Sequence, residues 1–237
     1  MKKKAVIVIL FIVLLLTSVN VYASKGGKYT FKEGNLKITV PSNYVVFTRD
    51  TTSKDADIKK YGIDISKLQE YFSDRNVYAD ILTDKDAEII VTILENQGSK
   101  DIYNLTEYLK LYPDEFENLK NSLLKSFSKS DDISNISLYK NDKYYYIHFE
   151  GYNGSDKNYA DIYLTIINGK FISLGTIPLS NDPVNSSQKT ALKNFINKNV
   201  SFYDVQPIPA NTKPIEYEES IWTRVWPKVC VPRFLVL

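Results

Sequence analysis

The sequence predicts an α+β fold: an antiparallel sheet of about six to eight strands, closing in a four-stranded meander and covered by helices. Three observations predict it. Residues 136–140, 143–151, 159–167 and 170–177 read as consecutive strands joined by tight turns. The last turn is Asn168-Gly169, whose residues accept the positive φ of a type I′ hairpin. Residues 77–82 and 88–94 read as a second hairpin across 83–87. Between these β segments, Leu105, Tyr108, Leu109 and Tyr112, then Phe116, Leu119, Leu123 and Phe127, recur at helical spacing.

From the N-terminus, residues 1–23 have the three parts of an export signal. Lys2–Lys4 form a positive end, 5–16 is an unbroken apolar run, and 17–23 is a polar exit. Small residues in Val21-Tyr22-Ala23 predict cleavage between Ala23 and Ser24. The apolar run falls short of the ~20 residues of a membrane span, so an uncleaved anchor ranks second. Residues 24–28 read as a flexible lead-in, and 29–204 as one α+β domain. Strands are expected at 29–31 and 36–40 around Glu33-Gly34-Asn35, with Pro41 ending the second and 44–48 continuing as another extended piece. Helices are expected at 55–61 and 65–72, separated by Gly62.

The helix from 105 has Asn104 as cap, with Glu107 placed to close a capping box. Pro113 suits the first turn of the next helix, whose later lysines are Lys125 and Lys129. After the meander, Ser187 is expected to cap a helix running to about Asn199. From 205 to 237 the texture changes to a proline-containing linker and an atypical tail expected to be disordered. Trp222 and Trp226, with Arg224, Lys228 and Arg233, suit contact with a membrane surface. Pro227 and Pro232 oppose a regular helix there. The GC-richer codon usage implied by residues 221–237 suits a frameshift product, and disorder or a frameshift ranks above a membrane anchor.

Composition excludes several function classes. With 43% apolar residues among 237, the chain can bury a real core. Removing residues 1–23 takes three lysines from 30 basic residues, leaving 27 against 28 acidic and a net charge of −1. That balance gives nucleic acid no electrostatic footing. One cysteine, Cys230, excludes an internal disulfide and any cysteine-cluster zinc site. Neither a metal nor another cofactor is expected. Asp84-Lys85-Asp86-Ala87-Glu88 lacks the glycine and closing glutamate of a calcium loop, and no glycine-rich phosphate loop is present. Abundant Lys, Asn, Ile and Tyr match AT-rich codons and point to a low-GC, Gram-positive-type bacterium. The five Asn-x-Ser/Thr sites are then read as chance matches, not glycan acceptors.

The candidate site lies in the meander. In Tyr144-Tyr145-Tyr146-Ile147-His148-Phe149-Glu150, alternation separates Tyr145, Ile147 and Phe149 from Tyr144, Tyr146, His148 and Glu150. The next strand likewise sets Ile162, Leu164 and Ile166 opposite Asp161, Tyr163 and Thr165. One face is core. The other, with Tyr144, Tyr146, His148 and Tyr163, either binds a ligand or is covered by a helix that satisfies its hydroxyls. His148 is the only histidine, no Gly-x-Ser-x-Gly turn exists, and Cys230 lies in the atypical tail, so a nucleophilic triad has little to build on. No catalytic residue is assigned.

The element order resembles the PsbP/Mog1-like superfamily. The resemblance spans 29–204 and rests on paired opening strands ending in Asn35-Leu36-Lys37-Ile38-Thr39-Val40-Pro41, a helical segment, the meander, and a closing helix ending in Asn199-Val200-Ser201-Phe202. Tyr44 stands where that family commonly has a tryptophan. It implies an antiparallel sheet flanked by helices, in an exported protein that acts in binding or assembly. No functional residue is carried over. The leading expectation is a non-catalytic extracytoplasmic module, secreted or at the cell surface, binding an envelope or extracellular partner. Its rivals are a secreted carboxylate-dependent hydrolase of wall polymer or peptide and a membrane-tethered structural domain.

Overall fold

A computed structural model describes residues 25–125, 132–154 and 157–215. The expected export signal, its Ala23/Ser24 junction, Cys230 and the Trp222/Trp226 segment lie outside the described residues. Among the described residues, nine antiparallel strands form one sheet: β1 (Lys25–Phe31), β2 (Leu36–Thr48), β3 (Val77–Leu82), β4 (Ala87–Leu94), β5 (Asp132–Lys140), β6 (Tyr145–Asn153), β7 (Asn158–Ile167), β8 (Lys170–Pro178) and β9 (Val200–Phe202). Their order is β1-β2-β3-β4-β8-β7-β6-β5, with β9 on β2. The expected α+β class and closing meander are both present.

Pro41 does not end the second strand as expected; β2 runs through it. Before Pro41, Leu36–Ile38 pair with β9, and after it Val45–Thr48 pair with β3. On its other side the β1–β2 register jumps between Gly27↔Val40 and Lys25↔Val45. A residue without an N–H is tolerated where the ladder is already interrupted. β1 also begins earlier than expected, at Lys25. Gly26 has φ +62°, and a Cβ there would lie 2.6 Å from the Ser42 backbone, so only glycine fits.

Among the described residues, six α-helices cover the sheet. On one face lie α1 (Ala56–Lys60), α2 (Ile65–Asp74), α3 (Gln97–Ile102), α4 (Leu105–Leu111) and α5 (Glu115–Lys125). Their Ile58, Leu68, Phe72, Ile102, Tyr108 and Leu119 pack with Phe47, Ile90, Ile147, Phe149 and Ile162 of the sheet. On the other face α6 (Ser186–Asn199) sets Leu192, Phe195 and Ile196 against Ile38, Ile81, Ile89 and Leu174. Two covers explain why β4, β7 and β8 are buried along nearly their whole length. A sheet wet on one side would alternate instead. Burial of each large side chain is worth about 1.5–3 kcal/mol.

Helix ends correct the sequence reading in three places. Asn185, not Ser187, caps α6, closing a box with Gln188. Asn104 caps α4 through the Glu107 N–H at 3.3 Å, but the Glu107 carboxylate turns away to accept from Ile208 N at 2.8 Å. Pro113 precedes rather than opens α5, which begins at Glu115. α3 was not anticipated; Asn96 and Ser99 cap it reciprocally. Residues 205–215 lie back over α4, with Tyr112 Oη donating to Thr212 O at 2.9 Å and Ile215 N to Tyr108 Oη at 3.1 Å.

Candidate binding site

The four candidate residues share a sheet face but not one pocket. Tyr146 is fully buried and Tyr163 is 5% exposed, both in the core beneath the α6 layer. Their rings meet edge-on at 6.4 Å, and Tyr139 packs on each, at 6.2 and 5.2 Å. Burial pushes both phenols up, helped for Tyr163 by the nearby charge of Asp161. Side chains so enclosed are packing elements first. α6 is fastened above them by Tyr139 Oη donating to Asn197 Oδ1 at 2.7 Å and by the Lys189–Glu150 ion pair at 2.6 Å. Burial works against ionisation of Glu150, yet hydrogen bonds from Lys189 and Asn135 hold its carboxyl below the usual range.

His148 is bonded on both ring nitrogens. Nε2 lies 2.7 Å from Asp161 Oδ1 and Nδ1 lies 3.3 Å from Ser137 Oγ, while the ring tilts over Tyr163 at 4.5 Å. Asp161 is fully buried. Register explains the grouping: His148 sits opposite Ser137 and Tyr163, and Asp161 is its diagonal neighbour beside Glu150. Hydroxyl, imidazole and carboxylate thus lie in series, the order of an acyl-transfer relay. Such a relay also needs a substrate cleft and oxyanion donors. Ser137 stands exposed on the edge strand β5, and none of the trio lines any cavity described here. The trio reads as a cross-strand tie. Its partners were invisible in sequence because diagonal contacts require the register of three strands.

Tyr144 is the candidate residue that meets open space. It lines a cavity of about 280 Å³ with Tyr139, Lys140, Lys143 and Asn197. Asn141 Oδ1 accepts the N–H groups of Lys143 and Tyr144, at 2.9 and 2.7 Å, which fixes the β5–β6 turn. The Tyr144 ring packs edge-on against Phe202 at 4.9 Å. A larger groove of about 620 Å³ flanks α6 elsewhere, lined by Tyr44, Asp84, Lys85, Ser187, Thr190 and Asn194. Nothing in the sequence reading pointed to it, because it joins the β3–β4 turn to the exposed side of a helix far along the chain.

Paired acids exist as well, in a different place. Asp80 and Glu88 occupy diagonal positions of the β3–β4 hairpin, 0% and 1% exposed. Burial raises the Asp80 carboxyl to about 7. A hydrolase would need such acids in a cleft, whereas these are sealed beneath the helical layer and line none of the cavities described. Among the described residues, no group of three or more His, Cys, Asp or Glu side chains is placed to hold a metal ion. No described helix is long and apolar enough to cross a membrane.

No protein-family model and no curated protein matches the sequence. Similar architectures occur among solved structures. Cyanobacterial PsbP (CyanoP) from Synechocystis sp. PCC 6803 is 12% identical with a TM-score of 0.39, over 79% of this chain and 98% of that one. The immunity protein TplEi of a type VI secretion system from Pseudomonas aeruginosa, solved with an "L" peptide, is 7% identical with a TM-score of 0.35, over 76% and 99%. A Bacteroides thetaiotaomicron protein is 8% identical with a TM-score of 0.31, over 76% of this chain and 50% of its own. At these identities and TM-scores the likenesses assign the chain to no family.

Proposed function

We propose that this protein is an exported, non-catalytic binding module of the cell envelope of a Gram-positive-type bacterium, engaging its partner through the Tyr144 rim. The observation that carries this reading is the division of the candidate residues. Tyr146 and Tyr163 are locked in the core and His148 in a two-sided hydrogen-bonded tie, which leaves Tyr144, on a turn fixed by Asn141, at an open cavity. A rim carrying two tyrosines, two lysines, two asparagines and Asp142 suits recognition of a polar polymer or peptide.

Export is supported by residues 1–23 and tested by N-terminal sequencing of the protein recovered outside the cytoplasm. A start at Ser24 is expected, and a retained Met1 would replace the secreted module with an anchored one. Binding is tested by co-sedimentation of the full chain with wall fragments from a low-GC Gram-positive cell. Tyr144→Ser and Lys143→Ala should each weaken it, by roughly tenfold for the tyrosine.

A further inference from the structure

We propose a second site, independent of the Tyr144 rim, for an acidic sugar unit in the cavity of about 430 Å³ between β1 and the end of β2. That volume lies in the range of small-ligand sites. Its wall is aromatic. Tyr29 and Phe31, two apart on β1, stack at 6.5 Å with planes 9° apart, and Tyr78 meets Phe31 edge-on at 6.1 Å. Arg49 sits over Tyr78, its guanidinium carbon 3.8 Å from the ring centroid. Its Nε donates to Val77 O at 2.8 Å and Nη2 to Phe72 O at 3.0 Å.

Those two bonds fix the fork while spending two of its five N–H donors. A braced guanidinium lining a cavity matches a carboxylate, which it can engage with two parallel bonds. Lys28 and Lys32 add positive charge, and Glu33 and Asp50 add two carboxylates, so the lining carries three cations against two anions. The acids narrow the ligand class. They repel a bare anion but accept hydrogen bonds from hydroxyl groups. Aromatic faces, meanwhile, pack well against the C–H faces of a sugar ring. A ligand that satisfies all three features carries one carboxylate, several hydroxyls and a ring.

The test is an amide-shift titration of the ¹⁵N-labelled full chain with D-glucuronate, D-glucose and inorganic phosphate in parallel. Glucuronate should shift the Tyr29, Phe31 and Tyr78 amides saturably, with glucose and phosphate each at least about tenfold weaker. Arg49→Gln should abolish the response. Because Arg49 also braces two carbonyls, Lys32→Ser on the exposed rim is the second variant, expected to weaken glucuronate roughly threefold. The proposal fails if glucose or phosphate matches glucuronate, if no saturable shift occurs, or if both variants respond like the wild type. Binding of wall fragments at Tyr144 is read separately, so either site can fail alone.

Discussion

Asp80 is buried in the β3–β4 hairpin with neither carboxylate oxygen hydrogen-bonded among the described residues, and burial lifts its carboxyl from 3.8 to about 7. Facing it are Tyr71, whose phenol burial pushes well up, and Glu88, with Arg75 nearby. Between pH ~4 and ~7 the folded protein keeps a proton that the unfolded chain releases. Stability contributed by Asp80 is therefore complete below pH ~4 and is lost as pH rises to ~7, on the order of 4 kcal/mol in all. Asp80→Asn should flatten that dependence and be the more stable form at pH 8, as read by urea unfolding at pH 5 and pH 8. At the same scale, His148→Ala should cost about 1–3 kcal/mol by removing a partner of the fully buried Asp161. Urea unfolding measures this too; a loss near zero would mean that the tie is not structural.

Elements report how much was legible. The Asn168-Gly169 hairpin was readable because its φ values, 49° and 73°, demand that chemistry. The β3–β4 hairpin was readable from its apolar runs. The passage of β2 through Pro41 was not legible because it depends on strand pairing: β1 shifts register on one side while β9 gives way to β3 on the other. α3 was missed because only Ile102 of its six residues is a large apolar side chain and half its signal is the Asn96/Ser99 box. For α6, the side-chain oxygen of Asn185 accepts from both Ser187 N and Gln188 N, so Asn185→Ala should cost about 1 kcal/mol in thermal unfolding. Ser187→Ala, at the position read as the cap from sequence, should cost much less. The alternation across β6 was legible, yet its meaning was not. Whether the tyrosine face met solvent or a helix depended on where α6 lands, some forty residues later in the chain.

At the scale of the whole molecule, helices pack on both faces of the sheet formed by the described strands, and the cavities open beside them. α6 is held by Asn197, Lys189, Gln188 and Asn199 to β5, β6, the β3–β4 turn and β2, which stiffens the borders of two cavities. Stiff borders favour recognition, because little ordering entropy remains to oppose binding. The Asp80/Glu88 pair is sealed beneath the helical layer and Ser137 stands on the edge strand, so both lie apart from these borders. The most direct measurement is the binding isotherm of the full chain on purified wall fragments, with wild type, Tyr144→Ser and His148→Ala compared under conditions where each is folded. The account predicts saturable binding that Tyr144→Ser weakens about tenfold and His148→Ala leaves within about twofold. Binding untouched by Tyr144→Ser, or lost only in His148→Ala, would contradict it.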